Sequence, residues 1–263
     1  MNSATLPDGC SPLSALDRAL AARIRLVATD VDGTLTRGGA LDPRVVEAIE
    51  RLTAAGIAVW PVSGRPAGEV LGLCRYLPGV QRGIAENGLL EIVPDREPRW
   101  IGTPTDVARL REVGDTLNRA HDAKLRLAGD HFCRLGDVAY ERDGREDGEL
   151  RAMRPLAEAH GVHFVWSNVH VHLAERLPDK GEGLLSVLRE QGFDPSTVLT
   201  IGDAPNDAGL FTPHRFGVTV GTADVLECAE DFSALPSFIS EARESDAFLR
   251  MAERLLDARP VAP

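Results

Sequence analysis

The chain has 263 residues, 43% hydrophobic and 26% charged, with a net charge of −11. That length allows one large core or a core plus an inserted module, and the composition is that of an ordinary globular protein. The acidity argues against nucleic acid as a partner, because no basic stripe exists to neutralise phosphates. No apolar run approaches the roughly 18 residues of a membrane span, so a membrane partner is not expected either. Cys10, Cys74, Cys133 and Cys228 form no Cys-x-x-Cys pair and read as reduced thiols. With no basic segment leading into an apolar run near Met1, the expected location is cytoplasmic.

In chain order, Ser11-Pro12 opens a short helical pattern on Leu13, Leu16 and Leu20. Ile24 to Thr29 is a strand-forming apolar run that ends at Asp30-Val31-Asp32-Gly33-Thr34. Asp42-Pro43 reads as the cap and first turn of a helix carrying Val45, Val46, Ile49 and Leu52, and Gly56 closes it. A second buried strand, Ile57 to Val62, ends at Ser63-Gly64-Arg65. A helix from Ala67 to Tyr76 and a short strand ending at Ala85-Glu86-Asn87-Gly88 follow.

The texture then changes. Short strands at Leu89 to Val93, Leu125 to Leu127 and Val162 to Trp166 alternate with polar helices near 105–122 and 146–160. Helices grouped with strands in this way suggest a separate small α+β module. Asn168 to Leu173 is a period-two strand leaving it. After Asp179-Lys180-Gly181 come a helix to Gly192, a strand Thr197 to Ile201 ending at Gly202-Asp203, a strand Phe216 to Val220, and a last helix over 241–257. The expected fold class is α/β: a Rossmann-like parallel-sheet core, residues 1–87 and 174–263, with an α+β cap inserted over 88–173.

Taken alone, the two aspartates after the first strand fit either an acidic turn or a metal site. A calcium loop of EF-hand type fails, since the sixth and twelfth positions from Asp30 are Leu35 and Leu41. Three parallel-type strands ending in Asp30 and Asp32, in Ser63, and in Asp203, Asn206 and Asp207 would share one rim of the sheet. That set suits phosphoryl transfer to an aspartate. One carboxylate attacks phosphorus, a second handles the leaving-group proton, and a hard cation screens the charges. The Ser63 hydroxyl, the Gly64 amide and the Lys180 ammonium would hold phosphoryl oxygens, where positioned donors contribute most.

Asp30-x-Asp32-Gly33-Thr34, Ser63-Gly64-Arg65, Lys180 and Gly202-Asp203-x-x-Asn206-Asp207 resemble the four ordered motifs of the haloacid dehalogenase superfamily. The resemblance covers residues of about 22–87 and 174–230. It implies Asp30 as nucleophile and Asp32 as general acid/base. It also implies Asp30, the main-chain carbonyl of Asp32, and Asp203 as Mg²⁺ ligands, with Thr34, Gly64, Asn206 and Asp207 supporting metal or phosphate. The insertion between the second and third motifs is similar to a class II cap of subclass B. Sugar-phosphate phosphatases such as the mannosyl-3-phosphoglycerate, sucrose-phosphate and archaeal phosphoglycolate types are similar in Ala85 to Gly88 and in the run from His170 to Gly181.

The expected partner is a small-molecule phosphate ester, hydrolysed through an aspartyl-phosphate. A phosphotransferase or mutase of the same superfamily, or a binding protein that kept the fold, are the alternatives. Arg65 and Asn87 are candidate substrate contacts. Asn168, His170 and His172 share one face of a strand, either over the crevice or on a solvated side. They lack an evident third zinc ligand. Arg126, Asp130 and Arg134 are further cap candidates, and Trp166 reads as core. Oligomeric state leaves no mark in the sequence.

Overall fold

The computed structural model describes residues 6–166 and 170–259. Strand β1 (Ser11–Pro12) and helix α1 (Arg18–Arg23) come first; the Asp17 carboxylate caps α1 by accepting from the amides of Ala19 and Leu20. A 3₁₀ turn, Leu13–Ala15, replaces the front of the expected first helix. Then follow β2 (Leu26–Thr29), the hairpin β3 (Thr36–Arg37) and β4 (Ala40–Leu41), and α2 (Pro43–Ala54), which starts at the expected Asp42 cap. Next are β5 (Ala58–Pro61), α3 (Ala67–Tyr76), β6 (Gly83–Ala85), β7 (Leu90–Ile92), β8 (Arg99–Trp100), α4 (Val107–His121), β9 (Val138–Glu141) and α5 (Asp147–Ala159). The chain continues through β10 (His163–Trp166), β11 (His170–Ala174), α6 (Lys180–Gln191), β12 (Val198–Gly202), α7 (Ala208–Phe211), β13 (Val218–Gly221), β14 (Phe238–Ile239) and α8 (Glu244–Asp257).

The main sheet runs β1-β14-β13-β12-β2-β5, every pair parallel. Alternate side chains feed two apolar layers, as a strand covered on both faces requires. Val27, Val59, Leu199 and Ile201 pack with Val45 and Ile49 of α2, Val70 of α3, and Phe248 and Met251 of α8. Leu26, Ala28 and Trp60 pack on the other face with Leu184 and Leu188 of α6 and Phe211 of α7. Each fully buried Leu or Phe contributes about 1.5–3 kcal/mol by leaving water. This sandwich fixes the strand ends, and Asp30, Ser63 and Asp203 leave it from one rim.

A second core lies beyond. The antiparallel sheet β10-β11-β9 carries α4 and α5, with Leu110, Leu117, Leu150, Met153, Phe164 and Val171 buried between them. The fold is α/β, a Rossmann-like parallel sheet with a small α+β cap. Two details depart from the expected organisation. Strand β7 returns antiparallel on β6, and Leu89, Leu90 and Ile92 pack in the main core. The three-stranded sheet β6-β7-β8 thus packs on the main core beyond the boundary expected at 88, and we propose that the cap runs between about Val107 and Ala174. The cap strand expected at Leu125 to Leu127 is reduced to a bridge from Leu127 to Tyr140, while β9 takes its place. The two connections into the cap meet where Arg176 donates to the Ile101 carbonyl (2.8 Å).

Candidate active site

Asp30 stands one residue past β2, its backbone N–H donating to the Ile201 carbonyl (2.9 Å), and is 5% exposed. Lys180, the first residue of α6, is fully buried. Its ammonium donates to Asp30 Oδ1 and to Asp207 Oδ1, both at 2.6 Å. The other Asp207 oxygen accepts from the amides of Asp203 (3.0 Å) and Ala204 (3.1 Å), so both of its oxygens are committed. Asp203 Oδ1 accepts from the Thr34 hydroxyl (2.9 Å). Gly33, at φ +78°, lies against that carboxylate, and a Cβ there would collide with it. Only glycine satisfies both the left-handed backbone and the close approach.

Burial pushes the Asp30 carboxyl up to about 7; Lys180 opposes this, while the Asp207 and Asp32 carboxylates add to it. Burial, then the neighbouring Asp30 and Asp207, push Asp203 up to about 9, against the Thr34 hydrogen bond and Lys180. Burial alone would lower Lys180, but Asp207 and Asp30 hold it above its usual value. The floor thus carries an excess of negative charge. Asp30, Asp203 and Asp207 offer oxygens within 4.8 Å of one another. An all-oxygen donor set crowded by its own charge fits a hard divalent cation such as Mg²⁺. Because Asp207 is engaged by Lys180 and two amides, Asp30 and Asp203 are the side chains with oxygens left for it.

The Asp32 side chain is not part of this carboxylate group. It is half exposed and pairs with Arg65, Nε to Oδ2 at 2.8 Å and Nη2 to Oδ1 at 2.5 Å. Arg65 also pairs with Glu69 on α3. Ser63 is 1% exposed; its hydroxyl oxygen accepts from the Arg65 amide (3.2 Å). Asn87 and Asn206 meet across the rim, Asn206 Nδ2 to Asn87 Oδ1 at 3.4 Å. All of these, with Gly64, line one cavity of about 550 Å³.

The cap supplies the opposite wall. Arg134 is buried and donates to Asp130 (2.9 and 2.7 Å), to Asp137 (3.1 Å) and to the Gly64 carbonyl (3.2 Å). His172 Nδ1 lies 2.7 Å from Asp137 Oδ2. Burial disfavours the Asp137 charge, yet His172 and Arg134 hold its carboxyl below the usual range. His170, His172, Asp130 and Arg134 reach the cavity, so this face of β11 turns to the crevice. Burial and the neighbouring His172 and Arg134 lower the His170 pKa. Asn168 lies outside the described residues. Arg126 turns away to pair with Asp143. Trp166 packs on Phe164 and under Arg154.

Sequence reasoning gave no role to Glu69, Asp137 or the Glu86 side chain. The one available signal was an acidic residue, Glu86, at the end of the apolar run Gly83-Ile84-Ala85.

The sequence matches the haloacid dehalogenase-like hydrolase family over residues 24–211, and the chain belongs to that family. It is 30% identical to a phosphoglycolate phosphatase of Methanoculleus marisnigri, over 88% of this chain and 96% of that protein. A phosphoglycolate phosphatase of Natronomonas pharaonis is 29% identical, over 89% and 98% respectively. Among solved structures, a Thermoplasma acidophilum protein superposes with a TM-score of 0.75 at 19% identity, over 90% of this chain and 99% of that one. Aspergillus fumigatus trehalose-6-phosphate phosphatase shares the fold with a TM-score of 0.61 at 20% identity, over 94% and 99%. Within its family the protein is a phosphatase. Among the described residues, no helix is long and apolar enough to cross a membrane.

Proposed function

We propose that the protein hydrolyses a small phosphorylated carboxylic acid or sugar phosphate through an aspartyl-phosphate on Asp30. The observation that carries this reading is the placement of the buried Asp30 carboxylate. It sits 2.6 Å from Lys180, on the floor of the cavity that Ser63, Gly64 and Asp203 also line. The Asp30 oxygen not bound to Lys180 attacks phosphorus. The bond from phosphorus to the leaving oxygen breaks, and that oxygen takes a proton from Asp32. Asp32 then removes a proton from water, whose oxygen attacks the aspartyl-phosphate; inorganic phosphate leaves and Asp30 is restored. Lys180, the Ser63 hydroxyl and the Gly64 amide hold the phosphoryl oxygens as charge develops on them.

Asp30, Asp203 and the main-chain carbonyl of Asp32 would hold Mg²⁺, which when bound would supply positive charge to screen nucleophile from phosphoryl group. Arg65 keeps the Asp32 carboxylate aside. A phosphate monoester monoanion entering between them competes for Arg65 and frees the Asp32 carboxylate, which takes up the ester's proton and so becomes the acid that protonates the leaving oxygen. The leaving group faces His170 and His172, two imidazoles suited to a carboxylate or hydroxyl oxygen. The names of the two relatives support a phosphorylated carboxylic acid. Release of phosphate from 2-phosphoglycolate, a hexose phosphate and p-nitrophenyl phosphate, measured with Mg²⁺, tests the reading. Turnover of the first well above the others is expected. No phosphate release from any, or transfer to a sugar hydroxyl in place of release, would overturn it.

A further inference from the structure

Glu86 is an acidic side chain with no exposed surface, and its partners are backbone amides instead of a cation. One oxygen accepts from Ala67 at the start of α3 (3.1 Å) and from Leu135 of the cap (2.9 Å). The other accepts from Gly136 and from Asp137 (3.2 Å), also of the cap. Two donors fill each oxygen, so the site is built for a carboxylate. Burial and the nearby Asp137 push the Glu86 carboxyl up to about 7, and the amides of Leu135, Gly136 and Ala67 hold it from rising further.

The backbone around this residue is strained. Glu86, Asn87 and Gly88 have φ of +52°, +55° and +100°. Two consecutive non-glycine residues in the left-handed region are uncommon, and such strain gathers at functional sites. The turn does three things at once. The amides of Glu86 and Asn87 donate to the carbonyls of Arg65 and Ser63, both at 3.0 Å, which ties the turn to the phosphate-binding loop. The Asn87 side chain lines the cavity. Gly88 lies against Asp179 and Gly183, where a Cβ would collide with the start of the helix that carries Lys180. From the cap side, Asp137, whose amide Glu86 holds, grips both Arg134 and His172 through its carboxylate.

We propose that Glu86 is a positioning residue that docks cap residues 135–137 onto the phosphate-binding loop, and so fixes the wall that selects the leaving group. The proposal rests on the phosphatase reading of the cavity. Glu86 touches no reacting atom; it acts through Asp137 on Arg134 and His172. Replacing one of its oxygens with an amide would set an N–H₂ against two backbone donors and release the segment, while Asp30, Lys180 and Asp203 keep their own bonds.

The test compares the full-length wild type with Glu86→Gln and Gly136→Ala. In the second variant an added Cβ would sit 3.0 Å from both Glu86 Oε2 and Leu89 Cδ1, pressing the segment off its anchor while the acid itself is kept. Hydrogen exchange is followed by mass spectrometry, and kcat/KM is measured for 2-phosphoglycolate and p-nitrophenyl phosphate. In Glu86→Gln, amides of 135–137 are expected to exchange about tenfold faster, the scale of one lost charge-assisted hydrogen bond. The kcat/KM ratio should shift about tenfold toward p-nitrophenyl phosphate, carried by KM. Gly136→Ala should move both in the same direction by less. Loss of properly folded enzyme would lower both substrates together and leave the ratio alone. An unchanged ratio, or unchanged exchange at 135–137, overturns the proposal. If Glu86→Gln does not fold, Gly136→Ala decides. If the wild type hydrolyses neither ester, the functional reading fails separately, and the exchange rates alone decide whether Glu86 docks the cap.

Discussion

The floor and the cap wall of the cavity handle charge in opposite ways. On the floor, Asp30, Asp203 and Asp207 crowd around a single Lys180, and two of the carboxyls are pushed far above their usual range. On the wall, Asp130 and Asp137 are matched by Arg134 and His172 in a closed set of hydrogen bonds. The first arrangement is incomplete without added positive charge; the second closes on its own hydrogen bonds. A surplus of one sign at the end of buried strands is the kind of arrangement that catalytic sites keep, whereas a hydrogen-bonded network of paired groups is the kind that shapes a wall.

The largest test of the difference is Asp30→Asn. It should lower phosphate release by at least about 10⁴-fold, since no other described group can take the nucleophile's place, with the fold retained. Residual activity above that level, measured as released phosphate, would move the nucleophile elsewhere. Lys180→Met removes the one cation that the described residues place on the floor. About 10²–10³-fold loss in kcat is expected, together with about 3–5 kcal/mol of stability because buried carboxylates are left unpaired. Denaturant melts and steady-state rates on one preparation would check both.

Core packing sets the next scale. Phe248→Ala empties a fully buried site between α8 and the sheet and should cost about 3–5 kcal/mol by denaturant unfolding, while KM stays unchanged.

The pH dependence of stability separates floor from wall more finely. Asp30 and Asp203 titrate near 7 and 9 in the fold against about 4 when unfolded. The folded state therefore binds more protons at these two groups across that interval, and their contribution to stability falls as pH rises from about 4 toward 9. In chelator, the melting temperature should be lower at pH 8.5 than at pH 5.5. Mg²⁺ should restore more at the higher pH, because the carboxylates must lose protons to bind it. Asp137, whose carboxyl lies below the usual range, has the opposite sign: its contribution is present above about 4 and fades as pH falls further. A melting temperature that rises with pH in chelator would mean that the floor is not the strained region.

The smallest expected effect is chemical. Burial pushes the Cys74 thiol up to about 12, whereas Cys133, on the cap segment, is half-buried. A thiol reagent should label Cys133 well before Cys74, as read by peptide mass. The reverse order would mean that the cap segment is the tighter of the two.

Part of the floor was legible in the sequence because some of its residues come at the end of apolar runs. Asp30, Ser63 and Asp203 each stand at a strand end, and strand ends of a parallel sheet share a rim. The wall was not legible to the same degree. Its partners come from positions as far apart as Gly64, Arg134 and His172, and contact over that distance leaves no periodicity. Strand β9 escaped notice because Val138, Ala139 and Tyr140 are all buried, so no alternation of apolar and polar residues marks it. Strand β7 packs in the main core, and a short strand after a glycine turn carries no sign in the sequence of which sheet it joins. Glu86 was hidden for a different reason: its partners are amides, which every residue has.

The central claim is that the surplus of carboxylates on the floor makes Asp30 a nucleophile. Acid-quenched enzyme taken during turnover of 2-phosphoglycolate, digested and analysed by mass spectrometry, tests it most directly. The peptide containing Asp30 should carry one phosphoryl group that disappears once substrate is exhausted. A phosphoryl group on any other residue, or none under conditions where turnover proceeds and a slow-hydrolysing Asp32→Asn variant also fails to accumulate it, would contradict the account.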